Sequence, residues 1–155
     1  MNTGTPVQTA GRVHAGPLTL VLIGAALRAG TAAALIIDAV VHLRDAHFYG
    51  PNAGTLINQG QLFRVQAVIA LVVAVAVLAI PRRLVWVVAF LVAASAFAAV
   101  VVYTYINVGP VAGLPNMYEP SWGPPGKLVS AIAEGAGALL ALGGLGWATY
   151  RAGRK

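Results

Sequence analysis

Asp38 and His42 stand one helical turn apart, so a helix through them sets a carboxylate and an imidazole on one face, a pair suited to holding a proton or an ion. Arg28, Arg64 and Glu134 likewise fall inside otherwise apolar stretches, which makes two bases and two acids besides the histidine. At the centre of a bilayer each charge costs roughly 2.5 to 3.5 kcal/mol on insertion scales, so charges so placed are expected to be paired or shielded. The matched signs suggest that Arg64 bridges Asp38 and Glu134, while Arg28 meets backbone carbonyls or reaches toward the nearer surface. A sharper reading of the same residues is an outward-opening pocket where Arg64 and the carboxylates bind a polar headgroup, an ion or a proton.

Only a membrane explains the elements around these residues. The chain has 155 residues, 59% of them hydrophobic and 9% charged. With a mean hydropathy of +0.80 it is too apolar for a soluble domain of this size. Apolar runs at about 17–43, 62–80, 84–106 and 127–150 each approach or exceed the ~20 residues that cross ~30 Å of hydrocarbon as a helix. They lack the two-residue alternation of a lipid-facing barrel. The expectation is an all-α fold: one integral membrane domain over 1–155, a bundle of four transmembrane helices with two ordered extracytoplasmic loops and short tails at 1–16 and 151–155. The first run could instead open as a signal peptide, with Arg12 before the core Leu18 to Leu27. Its continuation past Arg28 to Val41 favours a retained helix.

Charges flanking the runs separate by side. Arg12, Arg82, Arg83, Arg151, Arg154 and Lys155 fall on one side, against Arg44 and Lys127 on the other. The positive-inside rule then puts both termini and the short 81–83 link in the cytoplasm of a bacterial plasma membrane protein. The longer loops face outward, carrying Phe48, Tyr49, Tyr118 and Trp122, aromatics suited to the interface. Five prolines between Gly109 and Gly126 favour an ordered cap over a loose tether.

At 1.5 Å per residue, Asp38 lies about 7 Å below the outer end of its run, Arg64 about 5 Å and Glu134 about 10 Å. His42 joins this outer group, whereas Arg28 sits about 15 Å deeper than Asp38. Arg28, Thr31, Asp38, His42 and Asp45 share an arc of roughly 100°. Lys127, Ser130 and Glu134 align on the fourth run above Gly137, Ala141, Gly144 and Ala148, small residues that let helices approach closely. The ligand or ion-pair cluster read from sequence is therefore Asp38, His42, Arg64, Glu134, Ser130 and Tyr103, with Tyr103 and Tyr105 as phenolic donors to it or, equally, interface anchors. Ser95, among alanines, reads as a packing residue.

Other chemistry finds little support. His42, Asp45 and His47 form a weak HxxDxH metal pattern, since His47 points off the shared face while the helix continues. No metal site is therefore assigned. Only one histidine lies within a run, which disfavours a bis-histidine haem, and the chain has no cysteine, so thiolate metal sites, iron–sulfur clusters and thiol nucleophiles are excluded. HExxH, GxSxG and GxxxxGK[ST] are all missing. No catalytic residue and no cofactor is assigned. The expected partners are the lipid bilayer and a membrane-protein partner or second copy, not nucleic acid.

The strings DAVVHL from Asp38, LFRVQA from Leu62 and LPNMYEPSW from Leu114 resemble those of small four-helix membrane proteins of high-GC bacteria, a group without an assigned activity. The overall plan is similar to DoxX-like four-helix membrane proteins in architecture. The resemblance implies the four-helix plan and would mark Asp38, His42, Arg64, Tyr118, Glu119 and Glu134, with no residue role attached. The functional expectations are, first, a non-enzymatic accessory or interaction subunit; second, a small-molecule, ion or proton-coupled carrier using Asp38, Arg64 and Glu134; third, an enzyme acting on a lipid or quinone at the outer leaflet.

Overall fold

The computed structural model describes residues 16–50, 56–124 and 126–154. Arg12, most of the N-terminal tail, part of the first long loop and Lys155 lie outside the described residues. Four helices follow one another: α1 Pro17–Asp45, α2 Gln59–Ala79, α3 Arg83–Tyr105 and α4 Lys127–Ala152. Each is long and apolar enough to cross a membrane, and none of the described residues forms a strand beyond one isolated bridge between Val111 and Leu114. The chain is an all-α, multi-pass membrane protein.

Local chemistry sets the helix ends. Pro17 opens α1, where its missing N–H costs nothing. α2 starts with a reciprocal cap: Asn58 Oδ1 accepts from the Gln61 N–H at 2.8 Å, and Gln61 Oε1 accepts from the Asn58 N–H at 2.9 Å. It stops at Ile80, which is extended because Pro81 follows. Gly126 precedes α4 with φ 94°, and a Cβ there would lie 2.7 Å from Asp45 Oδ2 and 2.8 Å from Val41 Cγ1. Glycine at this point therefore lets the start of α4 rest against the end of α1.

Around the bundle the order is α2, α1, α4, α3, with extensive α1–α2, α1–α4 and α3–α4 contacts and a much thinner α2–α3 seam. Small residues make the centre: Ala32, Ala39, Ala67, Ala70, Ala74, Ala89, Ala93 and Ala141 are buried. A Cβ on Gly137 would sit 3.3 Å from that of Ala34 and 3.5 Å from that of Ala93, so α4 is wedged between α1 and α3. The large filler is Trp86, 1% exposed, whose indole lies directly on Gly144. Ser95 is exposed and, among the described residues, bonds only to the Val92 carbonyl of its own helix at 3.1 Å, so it is not the packing residue expected. The alanine run around it turns only Ala93 fully inward.

α2 and α3 are joined by Ile80, Pro81 and Arg82, so their linked ends must be neighbours. With so thin a seam between them they part toward their other ends, at what is here called the loop end of the bundle, where both long loops lie. The Pro81 end is the hairpin end.

Candidate functional site

The loop end collects polar side chains from three helices. Asp38 is 2% exposed, Ser130 3% and Glu134 1%. His42 Nδ1 lies 2.8 Å from Asp38 Oδ1 and 3.0 Å from the Asp38 carbonyl, as an (i, i+4) pair on a helix requires. Gln66 Nε2 donates to Asp38 Oδ2 at 3.2 Å across the α1–α2 interface. Ser130 Oγ lies 3.0 Å from Asp38 Oδ1 and 2.8 Å from Glu134 Oε1, so one hydroxyl stands between two buried carboxyls. Glu134 Oε2 has no partner among the described residues.

Hydrogen counting constrains this arrangement. Asp38 meets His42, Gln66 and Ser130, the surroundings of an ionised carboxylate, which only accepts. A serine hydroxyl carries a single hydrogen. If that hydrogen points to Asp38, the 2.8 Å contact with Glu134 is a hydrogen bond only when Glu134 carries a hydrogen of its own and donates it to Ser130 Oγ. The Nδ1–H tautomer of His42 leaves its Nε2 as the acceptor.

The expected cluster forms without Arg64, and with Tyr103 across the cavity rather than bonded into it. Asp38, His42, Ser130 and Glu134 come together, but Arg64 does not bridge the carboxylates: its side chain is exposed, and the one ion pair among the described residues is His42 with Asp38. The reason is helical phase. Gln66 faces α1, and a residue two positions away is turned by about 200°, so Arg64 leaves the interface on the other side. Gln66 is the group that sequence reasoning passed over. Its signal was an amide two residues past the arginine, within reach of α1 once α2 is phased by buried Ala67, Ala70 and Ala74.

The HxxDxH pattern does not assemble as a metal site either. His47 is exposed and packs on Phe48 with ring centroids 3.9 Å apart, beyond the last residue of α1. The group with ligand geometry is instead Asp38, His42 and Glu134, whose candidate donor atoms lie within 4.8 Å of one another. One imidazole nitrogen and two carboxylate oxygens are compatible with a divalent transition metal. Arg28 follows the carbonyl half of its expectation. It donates to the Val77 and Ile80 carbonyls, at the end of α2 where no helical N–H follows to meet them, and lies 5.4 Å from the Trp86 ring centroid.

Beside the cluster lies a cavity of about 340 Å³. His42, Gln66 and Ser130 form its polar inner wall, and Leu62, Val65, Ile69, Ala96, Ala99 and Val100 form its apolar sides. Val65, Ile69 and Ala99 are themselves exposed, so the cavity reaches the outside of the bundle where α2 and α3 diverge. Phe63 backs His42 edge-on at 5.0 Å and Tyr49 at 5.1 Å. Around the mouth stand Tyr49, Tyr103, Glu119 and Lys127. Burial lifts the Tyr49 phenol above its usual range, with Asp45 and Glu119 adding to the effect, so it stays a neutral hydroxyl. The 107–124 loop is tied over this end: Lys127 Nζ donates to the Glu119 and Ser121 carbonyls, and the Glu119 N–H donates to the Tyr103 carbonyl at 2.9 Å. Tyr105 stays outside, exposed, with its ring 6.5 Å from that of Trp122.

No family model, curated protein or solved structure matches the chain.

Proposed function

We propose that this membrane protein is a proton-coupled carrier or binder of an amphiphilic small molecule. The apolar body of the ligand lies between α2 and α3, and its hydrogen-bonding head rests against His42 and Gln66. The observation that carries this reading is the position of a buried Asp38–Ser130–Glu134 chain immediately behind the polar wall of an otherwise apolar cavity. A cavity of this size is in the range of small-ligand sites, which combine apolar walls with a few placed polar groups. His42 Nε2 can take a proton from a phenol, quinol or carboxylic acid head, and the imidazolium so formed is balanced by Asp38. Glu134 holds a second hydrogen behind Ser130. The charge bias of the flanking residues supports a bacterial plasma membrane with both termini in the cytoplasm, which would open the cavity near the outer leaflet.

An accessory or interaction subunit was the first expectation, beside a structural reading of the charges in which Arg64 bridges Asp38 and Glu134. With Arg64 outside and a cavity beside the carboxylates, the carrier reading has the better support.

Ala99→Phe tests the assignment, because Ala99 lines the cavity yet is exposed and its replacement leaves the core untouched. Small molecules extracted from protein purified in mild detergent are identified by mass spectrometry. The parent should yield one amphiphile near stoichiometry, and Ala99→Phe should lose most of it at an unchanged melting temperature. Equal recovery from both, or no amphiphile from the parent, contradicts the reading.

A further inference from the structure

A second cavity, about 570 Å³, lies at the hairpin end and is lined by Arg28, Arg83 and Arg151 together with Trp86 and Trp147. We propose that it binds the phosphate of an anionic phospholipid headgroup.

Charge is the first reason. The chain contains four acidic residues, Asp38, Asp45, Glu119 and Glu134, and all of them belong to the loop end. No acidic side chain is therefore available at the hairpin end to neutralise three arginines on one cavity, and Arg82 and Arg154 add to the same field. Such a pocket between helix ends suits an anionic headgroup.

Two of the guanidiniums are also held in place. Arg28 lies over the Trp86 ring and Arg151 over the Trp147 ring, 5.4 Å and 5.1 Å from their centroids. Trp147 is itself fixed by its Nε1–H, which donates to the Leu20 carbonyl at 3.1 Å. Among the described residues, the Arg28 hydrogen bonds run from Nη1 only. Nε and Nη2 of that planar fork remain for an oxyanion in the cavity, a geometry that matches phosphate. The exposed Leu84 and Leu78 beside this end offer apolar surface to acyl chains.

Native mass spectrometry of the full chain in neutral detergent, titrated with dioleoylphosphatidylglycerol, dioleoylphosphatidylcholine or inorganic phosphate, tests the site. One phosphatidylglycerol should bind in preference to phosphatidylcholine, and inorganic phosphate should fail to displace it at equal concentration. Arg83→Gln and Arg151→Gln are both at exposed positions and should each weaken binding roughly fivefold. Ala99→Phe, at the opposite end, should leave it unchanged. Equal binding of the two lipids, displacement by inorganic phosphate at equal concentration, or full affinity in the Arg83→Gln, Arg151→Gln double variant overturns the assignment. The site is independent of the ligand proposed for the loop-end cavity.

Discussion

Asp38→Ala is expected to destabilise the bundle by about 3–5 kcal/mol, the usual scale for removing one partner of a buried ionic pair. The loss exceeds one contact. Gln66 Nε2 loses its acceptor, Ser130 loses the acceptor of its one hydrogen, and His42 Nδ1–H is left with the main-chain carbonyl of residue 38 alone. Ser130 and Glu134 are 3% and 1% exposed, so the buried side of the cluster is left with its desolvation cost, while His42 and Gln66 still face the cavity. Asp38→Asn keeps one carbonyl oxygen and should cost less than half as much. Arg64→Ala is the control, because an exposed arginine with no carboxylate partner among the described residues should change stability by no more than about 0.5 kcal/mol. Equilibrium unfolding in mixed micelles measures all three. An Asp38→Ala protein as stable as the parent, or an Arg64→Ala protein as weak as Asp38→Ala, would refute the described pairing.

Gly144→Ala should be nearly as disruptive through sterics alone. A methyl at this position would overlap the six-membered ring of Trp86, an indole that is 1% exposed and has the Arg28 guanidinium 5.4 Å from its ring centroid. The ring cannot swing aside without leaving the α3–α4 interface, so overpacking of about 1–3 kcal/mol is expected. Gly146, two residues on, has nothing within 4 Å of the point a methyl would occupy and supplies the contrast. Gly146→Ala should be neutral or stabilising by up to about 1 kcal/mol, since alanine is the better helix former. Thermal unfolding in detergent separates the two variants. If both behave alike, the close approach of Trp86 to α4 is wrong.

These expectations mark what the sequence disclosed and what it withheld. Four apolar runs were long enough to announce four helices, and their ends set boundaries that the structure moves by at most three residues, as at Gln59. The polar stripes of α1 and α4 were readable because Asp38–His42 and Ser130–Glu134 are each four residues apart on one helix. Their meeting was foreseen from the small residues below Glu134, which bring α4 close to α1. The partner from α2 was not. α2 is apolar on nearly every face, so its rotation could not be fixed from periodicity, and charge matching favoured Arg64 over the neutral Gln66. The cavity was equally hidden. It follows from α2 and α3 diverging beyond Pro81, a property of packing among all four helices rather than of any one segment.

At the hairpin end, Arg28 shows how an intramembrane charge is accommodated without an acid. The last carbonyls of α2 lack helical donors, and a guanidinium supplies them while its face rests on Trp86. The first helix is thereby tied to the start of the α2–α3 hairpin. The loop end uses hydrogen-bonded acids instead, so the two ends of one small bundle solve the burial of charge in different ways.

The proton coupling proposed for the loop end turns on a hydrogen held by Glu134 behind Ser130. Infrared difference spectroscopy of the purified protein at neutral pH, parent minus Glu134→Gln, addresses it directly. The neutral isostere preserves shape and hydrogen-bonding capacity, so the fold should survive. The parent should show the carbonyl stretch of a protonated carboxylic acid, shifted in deuterium oxide and lost in Glu134→Gln. A spectrum with only ionised carboxylate bands, as two deprotonated acids around a bound cation would give, rules the protonated Glu134 out.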